Sequence, residues 1–153
     1  MAKKKVIKKS VPTGAMKDAS QMRVKDLVIT DEFKKITHTS SGKDAAGQLM
    51  AIPRGVVLAI DDAGSVKGVL TAREFLKAIV DGKNPTDTAV TEMMNTDVME
   101  IPYDSLLDDV VPEVTKRDPY AVVVVDADGV FKGYFSPKDY QEALARINYR
   151  RSR

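Results

Sequence analysis

Gly68-Val69-Leu70-Thr71-Ala72-Arg73-Glu74-Phe75 is matched, 65 residues on (Thr71 to Ser136), by Gly133-Tyr134-Phe135-Ser136-Pro137-Lys138-Asp139-Tyr140. The residue classes agree position by position: glycine, two apolar, hydroxyl, small, basic, acidic, aromatic. A repeat of this kind decides architecture before any local motif does. Upstream at the same spacing, Val56-Val57-Leu58-Ala59-Ile60-Asp61 meets Ala121-Val122-Val123-Val124-Val125-Asp126, and Gly64 meets Gly129. Earlier still the spacing becomes 66, setting Val24-Lys25-Asp26-Leu27-Val28 against Val90-Thr91-Glu92-Met93-Met94. The chain is thus expected to hold a basic, mobile arm (1–20), a first repeat (21–82), a linker (83–87), a second repeat (88–147) and a basic tail (148–153).

Each repeat reads as β-α-β-β-α. Residues 42–52 and 105–116 carry apolar residues at helical spacing, with Gly47 and Pro112 disfavouring a straight helix at the same repeat position. Val56–Ile60 and Ala121–Val125 are short, β-branched apolar runs suited to buried strands. Acidic turns ending in Gly64 and Gly129 lead to return strands over Val66–Leu70 and Val130–Phe135. Ala72, Phe75, Leu76, Ile79 and Val80 mark one amphipathic helix; Pro137, Tyr140, Leu144 and Ile147 mark its counterpart. About 60 residues with three strands are marginal alone, so the two sheets are expected to pack face to face.

Composition narrows the function classes. The chain is 43% hydrophobic and 30% charged with a net charge of +2, an ordinary globular balance. With no cysteine, disulfides and thiolate metal sites are excluded, which fits a reducing, cytoplasmic setting. No apolar run approaches the ~20 residues that span a bilayer, so no membrane partner is expected. One histidine, His38, leaves no relay or metal cluster. No Walker loop or dinucleotide fingerprint is present, and no enzyme activity or cofactor is expected. Lys3, Lys4, Lys5, Lys8 and Lys9 crowd the start, and Arg146, Arg150, Arg151 and Arg153 the end. Such clusters can engage nucleic acid, but no aromatic is interleaved for base stacking.

The strand ending in Gly-apolar-apolar-hydroxyl-x-x-acid before an amphipathic helix, present twice, resembles the cystathionine β-synthase (CBS) domain pair, or Bateman module. The resemblance covers about 125 of the 153 residues. It implies a mixed α/β fold of tandem CBS domains, two β-α-β-β-α repeats related by pseudo-twofold symmetry. It also implies a regulatory module that associates as a homodimer, senses AMP, ADP, ATP or S-adenosylmethionine, and signals to a protein effector.

The hydroxyl-x-x-acid motif has two readings. Thr71-x-x-Glu74 is a capping box and Ser136-x-x-Asp139 its near equivalent, with Pro137 suited to the first helical position. A helix N-terminus also attracts phosphate, and Ser136 and Lys138 would strengthen such a site. The resemblance places phosphate on Ser136, ribose on Asp139, and adenine between Asp97-Val98 and Tyr120-Ala121. The matching first-repeat positions are Gly55, Val56, Thr71, Arg73 and Glu74, where glutamate departs from the family's aspartate. Two other functions compete: a ligand-free dimerisation scaffold whose motifs only cap helices, and a nucleic-acid-associated protein acting through its basic termini.

Overall fold

The computed structural model describes residues 21–152. The expected arm, 1–20, lies outside the described residues. The first repeat contains β1 (Phe33–Thr37), α1 (Gly42–Met50), β2 (Val56–Ile60), β3 (Val66–Leu70) and α2 (Ala72–Val80). The second contains β4 (Val98–Pro102), α3 (Leu107–Arg117), β5 (Ala121–Val125), β6 (Phe131–Tyr134) and α4 (Pro137–Arg151). Single 3-10 turns at Val24–Asp26 and Val90–Glu92 open the repeats.

Each repeat makes a three-stranded sheet, ordered β1-β2-β3 and β4-β5-β6, with one parallel and one antiparallel pairing. The apolar runs form the central strands, as residues buried on both faces must. Even irregularity is repeated: the β2–β3 register shifts between Ala59 and Ile60, and the β5–β6 register between Val124 and Val125. The turns match too. Asp61 Oδ1 accepts from the amides of Ala63 and Ser65 (3.0 and 2.9 Å), and Asp126 Oδ1 from those of Asp128 and Val130 (both 2.9 Å). Gly64 and Gly129 supply the positive φ these turns require.

The two sheets meet face to face. Val56, Leu58 and Val69 of the first pack against Ala121, Val123 and Tyr134 of the second, with Phe33 and Phe131 edge to face at 5.3 Å. Behind each sheet lies a separate core under its helices. α3 continues through Pro112 instead of stopping there. α4 runs past residue 147, so residues 148–151 of the basic tail form its last turn.

The repeats exchange their openings. Met22, Val24, Leu27 and Ile29 are buried in the second half's core, while Val90 and Met93 are buried in the first half's. The backbone bonds that hold them correspond position for position. Val24 N–H donates to Ser105 O and Val90 N–H to Ser40 O, both at 2.9 Å. Leu107 N–H donates to Met22 O and Gly42 N–H to Thr88 O, at 2.9 and 2.7 Å. Tyr134 N–H donates to Ile29 O and Val69 N–H to Asn95 O, at 2.8 and 2.9 Å. The spatial halves therefore differ from the sequence repeats at 21–82 and 88–147.

Candidate functional site

Two clefts open at the strand mouths, and their walls are repeat equivalents. The first, ≈ 440 Å³, is bounded by Arg54, Gly55, Val56, Val69 and Thr71, with Glu32, Tyr120, Tyr134, Pro137 and Lys138 completing it. The second, ≈ 290 Å³, is bounded by the matching Pro119, Tyr120, Ala121, Tyr134 and Ser136, with Asp118, Pro137 and Tyr140 among the rest. Gly55 holds φ at +112° where β1 crosses closely; the Val56 amide beside it donates to Glu32 O at 3.2 Å. Only glycine adopts that backbone at low cost.

The helix tips are closed by both capping boxes. Ser136 Oγ accepts from Asp139 N–H at 3.1 Å, and Asp139 Oδ2 accepts from Ser136 N–H at 3.0 Å. Thr71 Oγ1 accepts from Arg73 N–H at 3.2 Å, and Glu74 Oε1 accepts from Thr71 N–H at 2.6 Å. Both acids are buried at 4% exposure and border neither strand-mouth cleft. Glu74 faces a third cavity instead, of ≈ 300 Å³, beside Lys77 and Lys83. Each cap uses one carboxylate oxygen, Asp139 Oδ2 and Glu74 Oε1, and a carboxylate has a second oxygen with acceptor capacity of its own.

The remaining expected residues are placed as follows. Asp97, Val98, Tyr120 and Ala121 come together at the β4–β5 mouth: Asp97 Oδ2 accepts from Tyr120 N–H at 3.2 Å, and Val98 pairs with Ala121. Asp97 Oδ1 also takes a bond from Arg117 Nη2 at 3.0 Å. Asp97, Val98 and Arg73 border neither cleft, whereas Gly55, Val56, Thr71, Pro137 and Lys138 share the first. Four residues of that cleft were not among the expected site residues: Glu32 and Arg54, which belong to no motif, and Val69 and Tyr134, which occupy the same apolar position of the repeated motif. Arg54 lies two residues before the matched strand Val56–Ile60, at the repeat position of Pro119. Glu32 is the repeat counterpart of Asp97.

The first cleft carries mixed charge. Arg54 and Lys138 are cationic, and Glu32 lies 3.7 Å from Lys138 Nζ with its side chain 16% exposed. Asp139 is held above the usual carboxylate range, chiefly by burial, with Asp31 and Glu32 adding to the rise. Tyr134 is pushed up to about 12, again mainly by burial and then by Glu32 and Asp139. Two tyrosine rings thus give flat apolar walls, and two cations beside a helix tip give an anion-attracting end. Among the described residues no group of three or more His, Asp or Glu is placed to hold a metal ion. No helix there is long and apolar enough to cross a membrane.

The CBS domain model matches residues 24–81 and 90–146, once per repeat. The chain belongs to the CBS domain family. This CBS pair shares its fold with solved structures of low identity. A putative acetoin utilization protein (AcuB) from Vibrio cholerae is 21% identical, with a TM-score of 0.68, covering 87% of this chain and 98% of that one. The CBS domain pair of protein MJ0100, solved with 5′-methylthioadenosine and S-adenosyl-L-methionine, is 22% identical, with a TM-score of 0.66 and coverages of 81% and 96%. Protein MJ1004 from Methanocaldococcus jannaschii is 24% identical at a TM-score of 0.66; the match covers 82% of this chain but 60% of that protein. No curated protein matches the chain.

Proposed function

We propose that this CBS pair is a regulatory module that binds an adenosine-containing ligand between its halves and relays binding to another protein chain. The supporting observation is the first cleft, where a strand mouth, two tyrosine rings, Arg54 and the Lys138-bearing tip of α4 converge. That is a small-molecule site in composition: mostly apolar walls with a few converging polar groups. The complex of MJ0100, a protein of the same fold, with two adenosine derivatives supports the choice of ligand class. Signalling would follow from differential affinity, the ligand favouring one arrangement of the halves over another. The output would pass to a second copy or an effector in the cytoplasm, with no reaction catalysed.

Thermal unfolding with AMP, ADP, ATP, S-adenosylmethionine and 5′-methylthioadenosine tests this. A ligand present at a hundred times its Kd should add about 2.7 kcal/mol of stability and raise Tm. No shift with any of the five at millimolar concentration would leave the scaffold reading, in which the boxes on Asp139 and Glu74 serve only as caps. The nucleic-acid reading depends largely on the arm outside the described residues.

A further inference from the structure

The two clefts are built from equivalent positions, yet one substitution separates them. Where the first has Gly55, the second has Tyr120. Tyr120 lines both clefts, and its hydroxyl lies 3.2 Å from Thr71 Oγ1, the cap of α2 in the other half. The single Thr71 proton is engaged with Glu74 Oε1 at 2.8 Å, so the phenol is the donor to Thr71. The hydroxyl is thereby tied to the rim of the first cleft.

Charge differs as well. Arg54 of the first cleft is replaced by Pro119 in the second, whose lining includes no lysine or arginine and does include Asp118. Size follows the same division. The first cleft is ≈ 440 Å³ and the second ≈ 290 Å³.

We propose that this chain is a one-site module: the Arg54–Gly55 cleft alone takes ligand, an adenosine bearing phosphate, because the second cleft has Pro119 and Tyr120 in place of Arg54 and Gly55. The proposal rests on the adenosine-binding reading above and adds stoichiometry, location and charge to it. Arg54 and Lys138 meet the phosphate, and Tyr120 walls the chamber.

Isothermal titration with AMP decides it. The unaltered chain should take up one equivalent, and Arg54→Ala should weaken that binding at least tenfold while changing 5′-methylthioadenosine binding less than threefold. The double variant Pro119→Arg/Tyr120→Gly, which copies Arg54-Gly55 into the second half, should take up two. Two equivalents in the unaltered chain, or AMP binding indifferent to Arg54→Ala, overturns the proposal while leaving adenosine binding intact. A double variant that stays folded and still binds one equivalent also overturns it. Absence of binding by AMP and 5′-methylthioadenosine alike overturns the underlying reading and this proposal together. If the double variant fails to fold, the stoichiometry of the unaltered chain and the response to Arg54→Ala still distinguish one site from two.

Discussion

The Tyr134 amide donates to the Ile29 carbonyl at 2.8 Å, tying the end of β6 to a segment 105 positions earlier in the chain. Gly133, beside it, explains the glycine that opens the repeated motif. A Cβ at Gly133 would collide with the Ile29 carbonyl oxygen, and one at Gly68 with the side chain of Met94. A backbone carbonyl in a bonded strap cannot give way; the Met94 Sδ and Cγ can turn aside, leaving only its Cβ, at 2.9 Å, to be relieved by a small backbone shift. Gly133→Ala is therefore expected to cost about 3 kcal/mol and Gly68→Ala about 1, within the usual span for overpacking. Urea midpoints of the two variants check the order; equal losses would contradict it.

The caps give a second prediction. Ser136→Ala and Thr71→Ala each remove an N-cap acceptor, a loss of about 1 kcal/mol. Thr71→Ala also takes away the partner of the Tyr120 hydroxyl, so it should cost more than Ser136→Ala. Thr71→Ser should restore most of the difference. Chemical denaturation of the three variants tests the ranking.

Asp139 sets a pH dependence opposite to that of a salt-bridged acid. Burial raises its folded-state value, and an unfolded aspartate titrates near 3.9. Between the two values the folded chain holds the proton that the unfolded chain has released. Stability from this group is thus undiminished below the unfolded value and falls as pH rises through the folded one. Asp139→Asn removes the titration while keeping an oxygen for the Ser136 amide. As pH rises from the unfolded value through the folded one, the variant should gain on the unaltered chain. Parallel stability curves would show that the charge carries no such penalty.

Glu32 offsets the positive charge of the candidate ligand cleft. Its carboxylate stands 3.7 Å from Lys138 Nζ. Glu32→Gln should free that ammonium and strengthen AMP binding roughly two- to fivefold, the equivalent of ~0.5–1 kcal/mol. Titration at low and moderate salt measures it; weaker binding in the variant would mean that Glu32 supports the ligand.

Much of the fold was legible because its signals are local. Val56–Ile60 and Ala121–Val125 coincide with the central strands β2 and β5, and the hydroxyl-x-x-acid boxes start α2 and α4. β1 was less visible, because Lys34 and Lys35 interrupt its apolar residues at an exposed edge. The exchange of openings was not legible. Met22, Val24, Leu27 and Ile29 announce that they require burial, but nothing in their order says in which core. The clefts divide the same way. The strand mouths could be located from the repeat, yet Arg54 and Glu32 belong to no motif, and only packing brings them together with Tyr134. The capping role of Asp139 was legible from its spacing to Ser136, and its Oδ2 takes that role; a ribose role for the same carboxylate is not decided by spacing.

The exchanged openings make the pair a clasp. Each half lends the other a strip of backbone, so neither can melt without unzipping its neighbour, and unfolding should be a single cooperative event despite the duplicated sequence. The same clasp limits the stroke of any signal. A ligand wedged between the halves can rock one sheet over the other, but it cannot prise them apart.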